Sequence, residues 1–308
     1  MHATFSSLSA KKVAQLTGHN ASVFALTLSD TPRYCFSGAG DGWVVRWDLD
    51  APDLGRLVAK IDTQIFSLLY LNDYQKIIAG SMQGGVHWID LDAPDRTKNI
   101  AHHGKGVFAV FRVGESVFTI GGEGKITRWA AAEARSIESV HLSNQSLRSA
   151  DFSAPRNEIA IGASDNAIYL LDATSLALKR TLAQAHANSV FAVRYSPDGR
   201  YLLSGGRDAQ LIIRDTTQDF RTVFNQPAHW FTINDIVFHP DGSYFATASR
   251  DKTIKIWDAN SFQLLKVLET VRDGGHINSV NRLLWTPHQQ YLLSASDDRS
   301  LKLWQITT

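Results

Sequence analysis

A single cysteine, Cys35, stands in 308 residues. No internal disulfide can form, no thiolate cluster can hold zinc, and the composition fits a reducing compartment such as the cytoplasm. Charge of either sign is not in excess, with 31 Lys+Arg against 30 Asp+Glu. General electrostatic attraction to nucleic acid or an anionic membrane is therefore not expected. Long apolar runs are missing, and the first residues, Met1 to Leu8, show neither a basic leader nor a hydrophobic core of a signal peptide. Catalytic signatures are equally scarce. No serine sits in a Gly-x-Ser-x-Gly elbow. Gly121-Gly122-Glu123-Gly124-Lys125 lacks the spacing of a phosphate-binding loop and opens no helix. The adjacent His102 and His103 could share a metal, but no third ligand is identifiable, so neither metal nor cofactor is expected.

What the chain has is repetition. Arg250-Asp251-Lys252-Thr253-Ile254-Lys255-Ile256-Trp257-Asp258 returns as Asp297 to Gln305, and in worn form as Arg207 to Asp215 and Gly40 to Asp48. Anchors fall at Asp41, Gln83, Glu123, Asp165, Asp208, Asp251 and Asp298, 40–47 residues apart. Each unit reads as strands. In the sixth, Ile233 to His239 is followed by the turn Pro240-Asp241-Gly242, then Tyr244 to Ser249, a second turn at Arg250-Asp251-Lys252, the alternating Thr253 to Asp258, and Gln263 to Leu268. Four strands make one twisted sheet, which buries both faces only by stacking on its neighbours around an axis.

On these repeats the chain resembles the WD40-repeat β-propellers, from about Lys12 to Ile306. The resemblance implies an all-β, seven-bladed propeller occupying residues 1–308 as one domain. Loops are expected around Asp50–Gly55 and Val271–Gly275. After Trp304 no outer strand remains for the last blade, so Lys12 to Thr17 is expected to fill that place and close the ring.

The family's buried tetrad of His, Ser or Thr, Asp and Trp maps completely onto three blades: His19, Ser37, Asp41 and Trp47; His229, Thr247, Asp251 and Trp257; His276, Ser294, Asp298 and Trp304. The third blade has His103, Thr119 and Trp129 with Glu123 for Asp. The fifth keeps His186, Ser204 and Asp208 but has Arg214 for Trp. The second reads Ile61, Ala79, Gln83 and Ile89, and the fourth Leu142, Ile161 and Leu171 around Asp165. Fully removed networks can be nearly neutral, whereas half-removed ones strand buried groups. Asp165 is expected to find backbone partners in its own turn.

The resemblance also implies which side chains face the top rim of the central channel: Phe24, Phe66, Phe108, Leu147, Phe191, Asn234 and Asn281. Flanking positions are small or polar, namely Ser22, Gln64, Gly106, Gln145 and Ser189. The residues before each turn anchor are Gly40, Met82, Gly122, Ser164, Arg207, Arg250 and Asp297. An apolar arc thus covers blades one to five, and charge gathers on blades five to seven. The rings either pack on one another as core or form an aromatic floor for a partner, with Arg207 and Arg250 reading an acidic or C-terminal group. Trp230 and Phe231 either extend that floor or pack within their loop. The family implies a monomeric, non-enzymatic scaffold for a protein or peptide. The alternative is a hydrophobic small ligand, or an enzyme-like site, in the channel.

Overall fold

The computed structural model describes residues 8–52 and 55–307. The reading of Met1 to Ser7 as leaderless, and residues 53 and 54 of the loop after Asp50, lie outside the described residues. Seven four-stranded antiparallel sheets are arranged as the blades of a propeller. Their innermost strands are Val23–Leu28, Ile65–Leu71, Val107–Val113, Leu147–Ser153, Val190–Tyr195, Ile233–Phe238 and Val280–Trp285. The alternation of the sequence is realised as burial. In the sixth blade Ile233, Asp235 and Ile236 point inward, and Phe245, Ala246 and Ala248 are fully enclosed. The layers between blades are filled by such side chains: Trp47 packs with Leu293 and Leu303 of the last blade, and Trp304 with Ile254 and Ile256 of the sixth. That contact is the burial an isolated blade lacks.

Closure is made by the N-terminal strand. Ser9–Thr17 pairs antiparallel with Ser300–Thr307, from Ser9 opposite Thr307 to Thr17 opposite Ser300. The expected insertion at Val271–Gly275 is not wholly irregular, since Thr270–Asp273 forms one helical turn ended by Gly274 in the left-handed region.

Every innermost strand carries a bulge at its second residue. Val23 pairs with Ala39 and Ala25 with Gly38, which leaves Phe24 unpaired, and the same shift recurs in all seven blades. A bulge re-aims one side chain out of the alternating pattern. Here it turns that residue towards one mouth of the channel.

Candidate functional site at the channel mouth

The tetrads hold the loops around this mouth. In the first blade the Trp47 indole donates to Ser37 Oγ at 2.8 Å, and Ser37 Oγ lies 2.7 Å from His19 Nε2. His19 Nδ1 lies 3.1 Å from Asp41, whose oxygens also accept the backbone N–H groups of Asn20 and Trp43. The sixth and seventh blades repeat this through Trp257, Thr247, His229 and Asp251, and through Trp304, Ser294, His276 and Asp298. Because the hydroxyl oxygen accepts from Trp, its proton is free for His Nε2. The imidazole is then neutral and donates Nδ1–H to the carboxylate. The electrostatics agree: burial lowers the His276 pKa against the pull of Asp298. Burial also raises Asp298, but hydrogen bonds from His276 and Ser300 outweigh it and hold the carboxylate well below its usual range.

The worn blades keep partial substitutes. Arg214 stands in for Trp and donates to Ser204 Oγ at 3.1 Å and to the Ala185 carbonyl at 2.7 Å. In the fourth blade the backbone N–H of Ala167 reaches Asp165, as expected for its own turn, but side chains matter as much. The hydroxyls of Tyr169 and Ser143 both donate to the same Asp165 oxygen. Ser143, not Leu142, therefore occupies the histidine position of that blade.

The same one-residue slip corrects the rim. Leu147 is fully buried and opens its strand, paired with Ala163. The bulged position that faces the mouth belongs to Arg148. The arc of apolar residues is interrupted at blade four by a guanidinium.

The mouth is a depression of about 210 Å³ lined by Phe24, Phe66, Phe108, Arg148, Phe191, Asn234, Asn281 and Arg282. The four phenylalanines are half-buried. Phe24 meets Phe66 edge-on at 5.2 Å, and Phe66 stacks on Phe108 at 5.5 Å. Arg148 closes the arc, its guanidinium 4.6 Å from the Phe108 centroid and 5.3 Å from that of Phe191. The rings pack on one another and also line an open hollow. Asn234 and Asn281, opposite, are tied to the scaffold. Asn234 donates to the Val280 carbonyl at 2.8 Å, and Asn281 to Asp297 at 2.7 Å.

Around this floor, Arg207 and Arg250 are exposed, as are Trp230 at 87% and Phe231 at 59%. Trp230 and Phe231 are not packed into their loop. They stand on the same face as the turns that carry the tetrad acids.

Below the floor the channel widens to about 400 Å³. Charged groups that the sequence did not single out face into it. Arg194 pairs with Asp151 at 3.0 Å and Asp235 at 3.7 Å, and Arg282 with Asp235 at 3.6 Å. The backbone N–H of Tyr195 bonds to Asp151 and that of Leu283 to Asp235. Burial raises the pKa of Asp151 against the pull of Arg194. The adjacent His102 and His103 are engaged separately, His102 with Thr127 and His103 with Thr119 and Glu123. Among the described residues no group of three potential metal ligands is assembled, and no helix is long and apolar enough to cross a membrane.

Comparison with known proteins agrees with the fold. The family described as WD domain, G-beta repeat matches residues 10–48, 177–215, 220–258 and 263–305. Actin-interacting protein 1 of Drosophila melanogaster is 30% identical over 132 residues, which are 42% of this chain. The match spans only 22% of that relative's length. Among solved structures, the WD40 β-propeller domain of Doa1 superposes with a TM-score of 0.84 at 18% identity, covering 96% of this chain and 97% of that one.

Proposed function

The chain belongs to the WD40 repeat family, whose propellers typically serve as protein-interaction scaffolds, and from that premise we propose that it binds a protein or peptide at the channel mouth ringed by Phe24, Phe66, Phe108 and Phe191. The observation that carries this reading is the set of half-buried rings, three in mutual contact and the fourth joined to them through Arg148, that lines an open hollow at one end of the channel. An apolar cluster rimmed by polar groups is the usual form of an interaction site. Trp230, Phe231, Arg207 and Arg250 extend it outward. A relative named for interacting with a protein supports the partner class. The protein acts as a non-catalytic, monomeric single domain in a reducing compartment and needs no cofactor, nucleic acid or membrane. Cys35 takes no part in this, its thiol being buried and its pKa pushed up to about 12 by desolvation.

The alternative, a small ligand in the channel, has one observation in its favour: the charged lining of Asp151, Arg194 and Arg282. Those charges are engaged with one another and with backbone N–H groups, which weakens it.

The test is affinity capture with the wild type beside a Phe24→Ser/Phe66→Ser/Phe191→Ser variant, read by mass spectrometry and followed by a binding measurement on the purified partner. The expected outcome is a partner held by the wild type and lost by the variant, with the variant's strand content retained by circular dichroism. Arg207→Glu and Arg250→Glu should weaken it further and reduce its salt dependence. Identical capture by both proteins would refute the site.

A further inference from the structure

We propose that the hollow at the channel mouth receives the free C-terminal carboxylate of a peptide ending in an apolar residue, with Arg148 as the anion receptor and the phenylalanine rings as the floor for the last side chain. This rests on the reading of the mouth as the docking site and goes further by fixing the chemistry of the occupant.

The argument begins with what already fills the aromatic site. A ring of four phenylalanines would ordinarily suit a cation, since aromatic faces attract one. In this chain the position is taken. The Arg148 guanidinium lies against the faces of Phe108 and Phe191, so a second cation would meet like charge. Arg207 adds to the repulsion: burial lowers the Arg148 pKa, and Arg207 lowers it further. A cationic side chain is therefore the wrong guest.

Next comes what Arg148 lacks. Its Nε donates to Ser164 Oγ at 2.8 Å, which orients the fork. Among the described residues no carboxylate lies within salt-bridge distance of Arg148, in contrast to Arg194 and Arg282 directly below. A part-buried guanidinium held in place on one edge, with its remaining donors unmatched and lining a cavity, is prepared for a planar two-oxygen anion.

Finally, the site is axial. Seven blades surround it, and Arg282, paired with Asp235, stands between it and the channel below. A chain end can enter such a hollow directly. An internal acidic residue would require the chain to enter and leave through one opening. The volume of about 210 Å³ suits one apolar side chain with its carboxylate.

The experiment selects binders from a random heptapeptide library displayed with free C-termini. The three strongest are then synthesised as the acid and as the C-terminal amide. Binding is measured to wild type, Arg148→Met and Phe66→Ser, each checked for unchanged melting. Methionine keeps an apolar stem against Phe108 and removes the charge. The expected result is enrichment of apolar last residues, with a roughly ten- to hundred-fold loss on amidation that Arg148→Met reproduces and that does not add to it. Peptides that bind equally as acid and amide, or that are enriched in Lys or Arg at the end, would overturn the proposal. If such peptides still lose affinity in Phe66→Ser, the docking floor stands and only its anion chemistry fails. Peptides indifferent to both substitutions, or a library that yields no binder, would remove both readings.

Discussion

Glu123 reaches His103 Nδ1 at 2.6 Å, yet its other oxygen, Oε2, is buried without a hydrogen-bond partner. In the blades with aspartate at this position, both oxygens are used, because the shorter side chain also accepts a backbone N–H two residues on, from Trp43, Gln210, Thr253 or Ser300. The extra methylene of glutamate carries the carboxylate past that donor. Glu123→Asp should therefore restore the missing bond and stabilise the protein by about 1 kcal/mol. A denaturant midpoint that stays put or falls would show that the third blade has adapted to the longer side chain.

Arg214 is a buried cation with no carboxylate among its hydrogen-bond partners, and burial lowers its pKa. Arg214→Trp supplies the indole donor that Ser37, Thr119, Thr247 and Ser294 receive in their own blades. Removing the uncompensated charge should raise stability by about 1 kcal/mol. Thermal melting of the purified variant decides the matter, and a lower melting temperature would mean that the Ala185 contact outweighs the desolvation.

Deleting residues 1–17 removes the partner of Ser300–Thr307. It bares a sheet edge and the apolar surface that Leu16 covers beside Leu301 and Leu303. The truncated chain should melt at a lower temperature and aggregate more readily. Melting at the wild-type temperature would show that ring closure does not depend on this strand.

Acid should unfold the protein in a particular order. His19, His229 and His276 have lowered pKa values in the fold, chiefly through burial. Below the ordinary histidine value near 6.5 the unfolded chain binds protons that the fold resists, so stability falls as pH drops through that region. The carboxylates of Asp208, Asp251 and Asp298 are also lowered, burial being outweighed by their histidine and backbone partners. Their stabilisation is present above their unfolded value near 4 and is lost below it. Denaturant titrations at pH 7.5, 5.5 and 4 should show a loss at each step, steeper in the wild type than in His276→Gln between the first two. A flat profile would mean that the tetrads titrate as they do in the unfolded chain.

Much of this architecture could be read in the sequence because the tetrad types are chemically unmistakable where they survive. Blades one, six and seven declare their register through His, Asp and Trp together, and the closing strand is marked by the outer-strand pattern of Lys12 to Thr17, which stands ahead of His19 without a blade of its own. The fourth blade misled because its anchors are gone. With Leu142 and Leu147 both apolar, the pattern of a core residue followed by a rim residue could be laid down one position early, and a leucine resembles the phenylalanines it was aligned with. A stricter signal was present. The rim residue follows the histidine position by five in every other blade, as Phe24 follows His19 and Phe191 follows His186, and that position precedes its acid by 22 in four of them. Counting back 22 from Asp165 gives Ser143, and forward five gives Arg148. The ion pairs within the channel were harder to foresee. Asp151 and Arg194 belong to adjacent blades and meet only because the ring brings their inner strands together.

The pairing of Ser9–Thr17 with Ser300–Thr307 joins segments almost the whole chain apart. Each blade can assemble from neighbours in sequence, but this contact must close a loop that spans all of them. Within the propeller, the first strand is thus the one whose partner comes last in sequence. Until the two pair, Leu16 has no cover and the outer edge of the last blade is unsatisfied. Ring closure should therefore be a late step of folding, a search by that strand for a single docking groove. Its speed should depend on how well the intervening blades have already curved the two ends towards each other.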